Sequence, residues 1–506
     1  MSRRCSRHAM RKLLILALIF GLIAGLALPP FYLLPVLWIS LPGLLWLIGR
    51  AATWRQAALI GLAFGFGLNC LGLYWITEPI LIEAAQFWWL VPFATPGLAL
   101  VVGVFIAVPA ALAWMVPRGL ARILVLTGAW TLADLAQQFV LTGFPWNFWG
   151  TDVAVPGRLG TLLIQPAAWI GVLGLTLALV FVASLPALGR RGIAASVALM
   201  AVWAGAGAAR LGTSHPAKPA AVIGLIQGDG TAEFVSTREA AVALFRRYLA
   251  LSAEAVAKAR AEHPDLPIAL LWPETASPFF LQTDVGARQA IAETVGPDVT
   301  VITGMLRFGP HDTIFNSMGV VRGPGPLLAT YDKWHLVPFG EYEPDWMPLQ
   351  VLPGQGFTPG TGPKTLHIPG LPPVGPIICY ESVFSGQIIK ETDRPDWIAL
   401  VTNDAWFGDS SGPRQHLAAG RMRAVEEGMP LARAANTGIS ALFDASGREI
   451  GRIGMDRQGV FVATLPGELP PTLFSRLGLW APAALALLTL LAGICLGWRR
   501  RAMPAR

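Results

Sequence analysis

Charge is scarce in this chain. Asp, Glu, Lys and Arg together make up 14% of 506 residues, while 54% are hydrophobic. Such a shortage excludes an ordinary soluble globular protein, and it points to several membrane spans. Cysteine is scarcer still: Cys5, Cys70, Cys379 and Cys495 are the full set. Cys5 lies in a basic N-terminal tail, and Cys70 and Cys495 lie in apolar runs. The polar part of the chain therefore holds one thiol and no internal disulfide. The seven His are scattered without ligand spacing, so no metal site is expected. Internal repeats and low-complexity tracts are missing as well.

What is present is unevenly spread. Residues 13–210 are nearly free of charge, 211–475 have the composition of a soluble domain, and 477–498 are apolar again. Apolar runs near 13–28, 33–48, 57–77, 88–115, 119–139, 162–188, 192–209 and 477–497 predict about eight transmembrane helices. Every second short loop is basic: Arg50 and Arg55, Arg118 and Arg122, Arg190 and Arg191, together with both chain ends. That alternation places both termini in the cytoplasm and turns the polar domain outward, which in a two-membrane bacterium, with the chain in the inner membrane, means the periplasm. The net charge of +7 is largely this topology signal, not a nucleic-acid footprint. The first apolar run is read as a retained span, because the alternation needs it. The expected domains are seven transmembrane helices over 1–210, a periplasmic domain over 211–475, and an eighth helix with a basic tail over 476–506. Asp134, ionisable inside a span, is read as capping or solvated near the outer interface, against a ligand contact or a helix-pairing hydrogen bond. The aromatic stretch Gly143–Asp152, "GFPWNFWGTD", reads as an interfacial belt on the outer face, with the lining of a lipid entry as a second reading.

From Ala220 the pattern alternates strands with helices, which implies an α/β layered domain. "AAVIGLIQGD", "LPIALLWPET", "DVTVITGMLRF", "FNSMGVV", "VGPIICYES", "DWIALVTND", "GISALFDASG" and "GVFVATL" are predicted strands. "TREAAVALFRRYLALSAEAVAKARAEH" and "HLAAGRMRAVEEGMPLARAAN" are predicted helices.

Three residues follow strand ends, where loops on a rigid scaffold carry chemistry: Glu274 in "WPET", Lys333 in "YDKWHLVPFGEY" and Cys379 in "ICYE". Up to Ile378 the last segment also fits a buried core strand with a structural Cys. A thiol nucleophile must lose its proton, which a carboxylate can accept, and a lysine can stabilise both thiolate and oxyanion. Glu, Lys and Cys together make an acyl-transfer set.

These three motifs, in this order, resemble the Glu–Lys–Cys signatures of the carbon–nitrogen hydrolase (nitrilase) superfamily. With spans on both sides, the whole chain resembles that superfamily's membrane-embedded N-acyltransferases of bacterial lipoproteins. The resemblance implies an αββα sandwich beside the membrane α-helical bundle. It implies transfer of an acyl chain from a phospholipid donor, through a Cys thioester, to the α-amine of a diacylglyceryl-cysteine at the end of an apolipoprotein. No cofactor is implied, and a monomer is expected. Carried over by motif, Glu274 is the general base, Lys333 the oxyanion stabiliser and Cys379 the nucleophile. Glu341 matches the family's further glutamate, and Tyr380 and Glu381 the pair after the nucleophile. Phe234 aligns loosely with an aromatic near the site, and His335 is read as structural. A membrane-anchored amidase passing the acyl group to water is the alternative, and a transporter with a binding domain the third reading. The stretch Glu341–Phe357, rich in Pro, Gly and large apolar residues, is predicted to be a loop. Trp346, Leu349 and Leu352 are its candidate lid residues at the bilayer surface, against folding back over the core.

Overall fold

The computed structural model describes residues 2–82, 84–230, 237–344 and 356–502. The chain forms two compact units, Met1–Thr213 with Ser410–Ala418 and Leu477–Arg506, and Ser214–Asp409 with Ala419–Arg476.

The first unit is helical. Its apolar runs fold as α1 (Ser2–Gly25), α2 (Leu37–Ile48), α3 (Trp54–Gly72), α4 (Val91–Trp114), α5 (Leu120–Gln137), α6 (Ala167–Ser184), α7 (Arg190–Thr213) and a C-terminal helix, Trp480–Ala502. Among the described residues, five helices are long and apolar enough to cross a bilayer, and the pair Trp54–Gly72 and Tyr74–Ile82, bent by 63°, makes a sixth. About eight helices form, but among the described residues fewer are long and apolar enough to span. The reason is physical: α2 has only 12 residues, and α5 interrupts its apolar run with Arg122 and Asp134. Small residues let these helices approach closely. A Cβ on Gly21 would lie 2.0 Å from the Phe64 carbonyl oxygen, so α1 and α3 meet there backbone to backbone.

Two expectations are corrected here. The stretch Gly143–Asp152 is not an exposed belt: Trp146, Phe148 and Trp149 are buried, and Trp146 packs 4.7 Å from Trp75. Both indole N–H groups donate to Gln415 Oε1, at 2.7 Å from Trp146 and 3.1 Å from Trp75. Polar groups inside the unit give these aromatics partners that a bilayer surface would otherwise supply. Asp134 is likewise not solvated but 5% exposed, and its Oδ2 has no hydrogen-bond partner.

The second unit is a layered α/β domain. One sheet has the order β11-β1-β2-β3-β4-β5 and the other β10-β9-β8-β7-β6. The strands of the first are β1 (Val222–Gln227), β2 (Ile268–Trp272), β3 (Thr300–Phe308), β4 (Ile314–Val321), β5 (Ala329–Asp332) and β11 (Gly459–Thr464). Those of the second are β6 (Val374–Ile378), β7 (Trp397–Thr402), β8 (Leu431–Ala435), β9 (Ser440–Phe443) and β10 (Glu449–Ile453). Parallel pairing within β1-β2-β3 and β6-β7-β8 explains the unbroken apolar runs, since both faces are covered. Ile223, Leu225, Leu271 and Ile302 face Trp397, Val401, Ala432 and Leu442 between the sheets. The alternate residues Val222, Ile226, Leu270, Trp272 and Val301 pack under α8 (Arg238–Glu262) and α9 (Val285–Val295). The Thr237 side chain caps α8 by accepting from Ala240 N–H at 3.2 Å.

The predicted helix over 416–436 is half right. A helix, α10 (Gly412–Glu427), stops at Gly428, whose φ of +70° suits a helix end. Pro430 follows, and "LARAA" becomes β8. Strands β5 and β10 and helix α9 were not foreseen.

Candidate active site

Each of the three strand-end residues is held by its own turn. Pro273 ends β2, and Thr275, with φ +47°, turns the chain so that Glu274 points back into the domain. Gly304 of β3 makes this turn possible, since its N–H donates to the Pro273 carbonyl at 3.0 Å and any Cβ would meet the Glu274 backbone. Lys333 leaves β5 and is 1% exposed. Cys379 follows β6 directly with φ +50°, a left-handed conformation unusual for a residue with a Cβ. A strained residue at a strand-to-helix turn lifts its side chain clear of the sheet, a geometry that nucleophile elbows use.

The side chains converge. Lys333 Nζ lies 2.8 Å from Glu341 Oε1 and 3.4 Å from Glu274 Oε1. Asn316 of β4 joins both carboxylates, its Nδ2 donating at 2.7 Å to Glu274 and 2.8 Å to Glu341. The second oxygens accept from backbone: Glu274 Oε2 from Asn403 N–H and Glu341 Oε2 from Val337 N–H, both at 2.8 Å. Burial alone would lower the Lys333 pKa, but Glu341 and Glu274 outweigh it and hold the ammonium charged. The Cys379 thiol is 8% exposed; burial first, then Glu274, raises its pKa well above the ordinary thiol range, while Lys333 opposes the rise. Its resting form is therefore a neutral thiol beside a carboxylate that can take its proton.

Glu381 does different work. Its Oε1 accepts from Tyr331 Oη at 2.8 Å and Trp334 N–H at 2.8 Å, and its Oε2 from Ile378 N–H at 2.7 Å. The carboxyl thus ties the Lys333 loop to the end of the Cys379 strand, and burial pushes its pKa up to about 7. Tyr380 packs edge-on against Phe384 at 5.2 Å, and His335 stacks on Phe384 at 3.5 Å. Thr402 approaches the thiol as a hydrogen-bond partner and donates to Asp404 Oδ1 at 2.9 Å, and Asp404 pairs with buried Arg433.

The structure thus gathers Glu274, Lys333, Cys379 and Glu341 in one buried cluster, with Tyr380 and Glu381 in the turn beside it. Trp346, Leu349, Leu352 and Phe234 lie outside the described residues. Asn316, Asn403 and Thr402 were missed. An asparagine inside "FNSMGVV", where strand positions rarely hold one, was the available signal for the first.

Two family models match the chain: the apolipoprotein N-acyltransferase N-terminal domain over residues 20–185 and carbon-nitrogen hydrolase over residues 270–469. An apolipoprotein N-acyltransferase of Bradyrhizobium diazoefficiens is 38% identical over 95% of this chain and 94% of its own length. One from Rhodopseudomonas palustris is 36% identical over 94% of each. Among solved structures, an amidase of the nitrilase superfamily from Nesterenkonia matches 50% of this chain and 92% of its own, with 20% identity and a TM-score of 0.34.

Proposed function

The chain belongs to the apolipoprotein N-acyltransferase family, and from that premise we propose that it moves an acyl chain from a phospholipid, through a thioester on Cys379, to the α-amine of a diacylglyceryl-cysteine on an apolipoprotein. The observation that carries the reading is the buried Lys333 ammonium held by Glu341 and Glu274 beside a strand-end thiol. Glu274 takes the thiol proton as sulfur attacks the ester carbonyl. Lys333 stabilises the oxyanion that forms. The intermediate collapses, the C–O bond breaks, and the proton on Glu274 passes to the departing lysophospholipid oxygen. The lipoprotein amine then attacks the thioester and gives its proton to Glu274. The amide forms as the C–S bond breaks, and the proton returns to sulfur. Glu341 and Asn316 fix the positions of Lys333 and Glu274, and Glu381 fixes the two loops.

The family is membrane-associated, and the first unit carries helices suited to a bilayer. We extend this with the charge alternation: both termini cytoplasmic, residues 1–210 and 476–506 forming the membrane part, and residues 211–475 facing the periplasm, as a monomer. The stretch bearing Trp346, Leu349 and Leu352 serves in this reading to admit the acyl chain.

Mass spectrometry of the intact protein from membranes tests the proposal. An acyl adduct on Cys379, lost with all transfer activity in Cys379→Ala, is the expected result. Transfer activity persisting in that variant overturns the mechanism. An adduct that water discharges as fast as the lipoprotein amine does makes the chain a hydrolase instead.

A further inference from the structure

Far from the thiol in sequence, the start of α5 holds two arginines and no acid: Arg118 just before the Gly119 cap and Arg122 in the first turn. Arg122 is 7% exposed. Its Nη2 donates to the Val116 carbonyl at 3.0 Å, while its buried Nε and Nη1 have no partner. Arg118, at the surface, donates to the Gly49 carbonyl. The two guanidiniums converge on Gly49: a Cβ there would lie 2.9 Å from Arg118 Nε and 3.1 Å from Arg122 Nη1. No carboxylate among the described residues forms an ion pair with either arginine. The helix start makes matters worse. Gly119 caps α5 with no side chain, and its first turn holds no acidic residue, so two cations sit at the positive end of the helix.

A buried guanidinium with free N–H groups is costly unless a counter-charge answers it. Two planar forks and an uncapped helix N-terminus offer donors suited to one tetrahedral oxyanion. The surroundings indicate its source. Trp46 and Met115, each 46% exposed, flank Gly49 and Val116. Gly497 of the C-terminal helix packs on Val116 and Pro117, with Trp498, 69% exposed, beside it. Acyl chains suit such a rim, and Trp is favoured at the headgroup level. Basic pockets between membrane helices select lipid phosphates for the same reason.

We propose that Arg118 and Arg122 hold the phosphate of an anionic phospholipid that is bound and not consumed. The test uses the delipidated full-length chain in detergent and native mass spectrometry. Phosphatidylglycerol, diacylglycerol with the same chains, and inorganic phosphate are offered separately and in competition. The expected result is retention of phosphatidylglycerol over diacylglycerol, weakened roughly tenfold or more in Arg118→Gln and in Arg122→Gln, the usual worth of a charge-assisted hydrogen bond. Arg55→Gln, at the exposed start of α3, leaves retention unchanged. Equal retention of both lipids, or of phosphatidylglycerol in wild type and in Arg118→Gln, overturns the site. Arg118 is exposed, so folding of that variant is not at issue. Displacement of phosphatidylglycerol by millimolar inorganic phosphate, with the same loss in the variants, overturns the lipid and assigns the cradle to the free anion.

Discussion

Gly304→Ala attacks the proposed base without touching it. Gly304 lies in β3, where a Cβ would sit 2.4 Å from Glu274 Cα, 2.5 Å from the Pro273 carbonyl oxygen and 2.5 Å from Thr275 N. All three are backbone atoms, so no side chain can swing aside. Non-bonded carbons prefer about 3.5–4.0 Å, so the Glu274 turn must retreat by about 1 Å. Overpacking of this kind costs about 1–3 kcal/mol of stability, which a domain with two sheets can absorb. The chemistry is less tolerant, because a displacement of about 1 Å costs on the order of 10²-fold in rate. The expected outcome is a folded, membrane-inserted protein that forms the Cys379 adduct about a hundredfold more slowly. Adduct formation in lipid vesicles, followed by intact-mass spectrometry, measures the rate, and thermal unfolding measures the stability. Gly325→Ala is the control, since a Cβ there meets nothing within 4 Å. A folded Gly304→Ala protein acylating at the wild-type rate refutes the dependence on this close approach, and with it the placement of Glu274 as base.

Lys333→Met removes the charge between two carboxylates, and loss of an oxyanion donor costs roughly 10²-fold or more. Because Lys333 opposes the rise of the thiol pKa, the same variant should also alkylate more slowly with iodoacetamide near pH 8, and faster alkylation would contradict the reading. Glu381 gives a pH signature: its folded pKa of about 7 exceeds the ordinary 4.5, so its favourable contribution is complete below about pH 4.5 and is lost as pH rises through 7. That shift corresponds to about 3 kcal/mol. Glu381→Gln should accordingly flatten the fall in thermal stability between pH 5 and pH 8, and an unchanged profile would show that Glu381 does not titrate there.

How much was legible depended on whether the signal was local. β1, β2, β6 and β7 were readable because each is a short apolar run closed by a turn, and because parallel strands covered on both faces need no alternation. Cys379 was readable for the same reason, as the residue on which such a run stops. β10 was not, since its outer residues are half exposed and its pairing with β9 contains a bulge. β8 was hidden by the helical look of "LARAA", which only Gly428 and Pro430 contradict. The aromatic stretch Gly143–Asp152 misled because buried and interfacial tryptophans look alike until their N–H partners are known.

Asn316 marks the deeper limit. Its side chain joins Glu274, 42 residues away, to Glu341, 25 residues away, and the second oxygen of Glu274 accepts from Asn403, 129 residues away. No window along the chain contains that arrangement, yet it explains how the site can rest with its thiol protonated. One ammonium lies among two carboxylates and a buried thiol; burial first, and then the Glu274 charge, raise the thiol pKa, since ionising sulfur would add a third negative charge. In the proposed mechanism the site never has to carry that extra charge. As Glu274 accepts the proton, the charge it loses appears on sulfur and then on the substrate oxygen beside Lys333. The number of charges around Lys333 stays constant through attack and collapse. Asn316, Val337 N–H and Asn403 N–H hold the carboxylates still while the charge moves, so little of the barrier goes into reorganising the site.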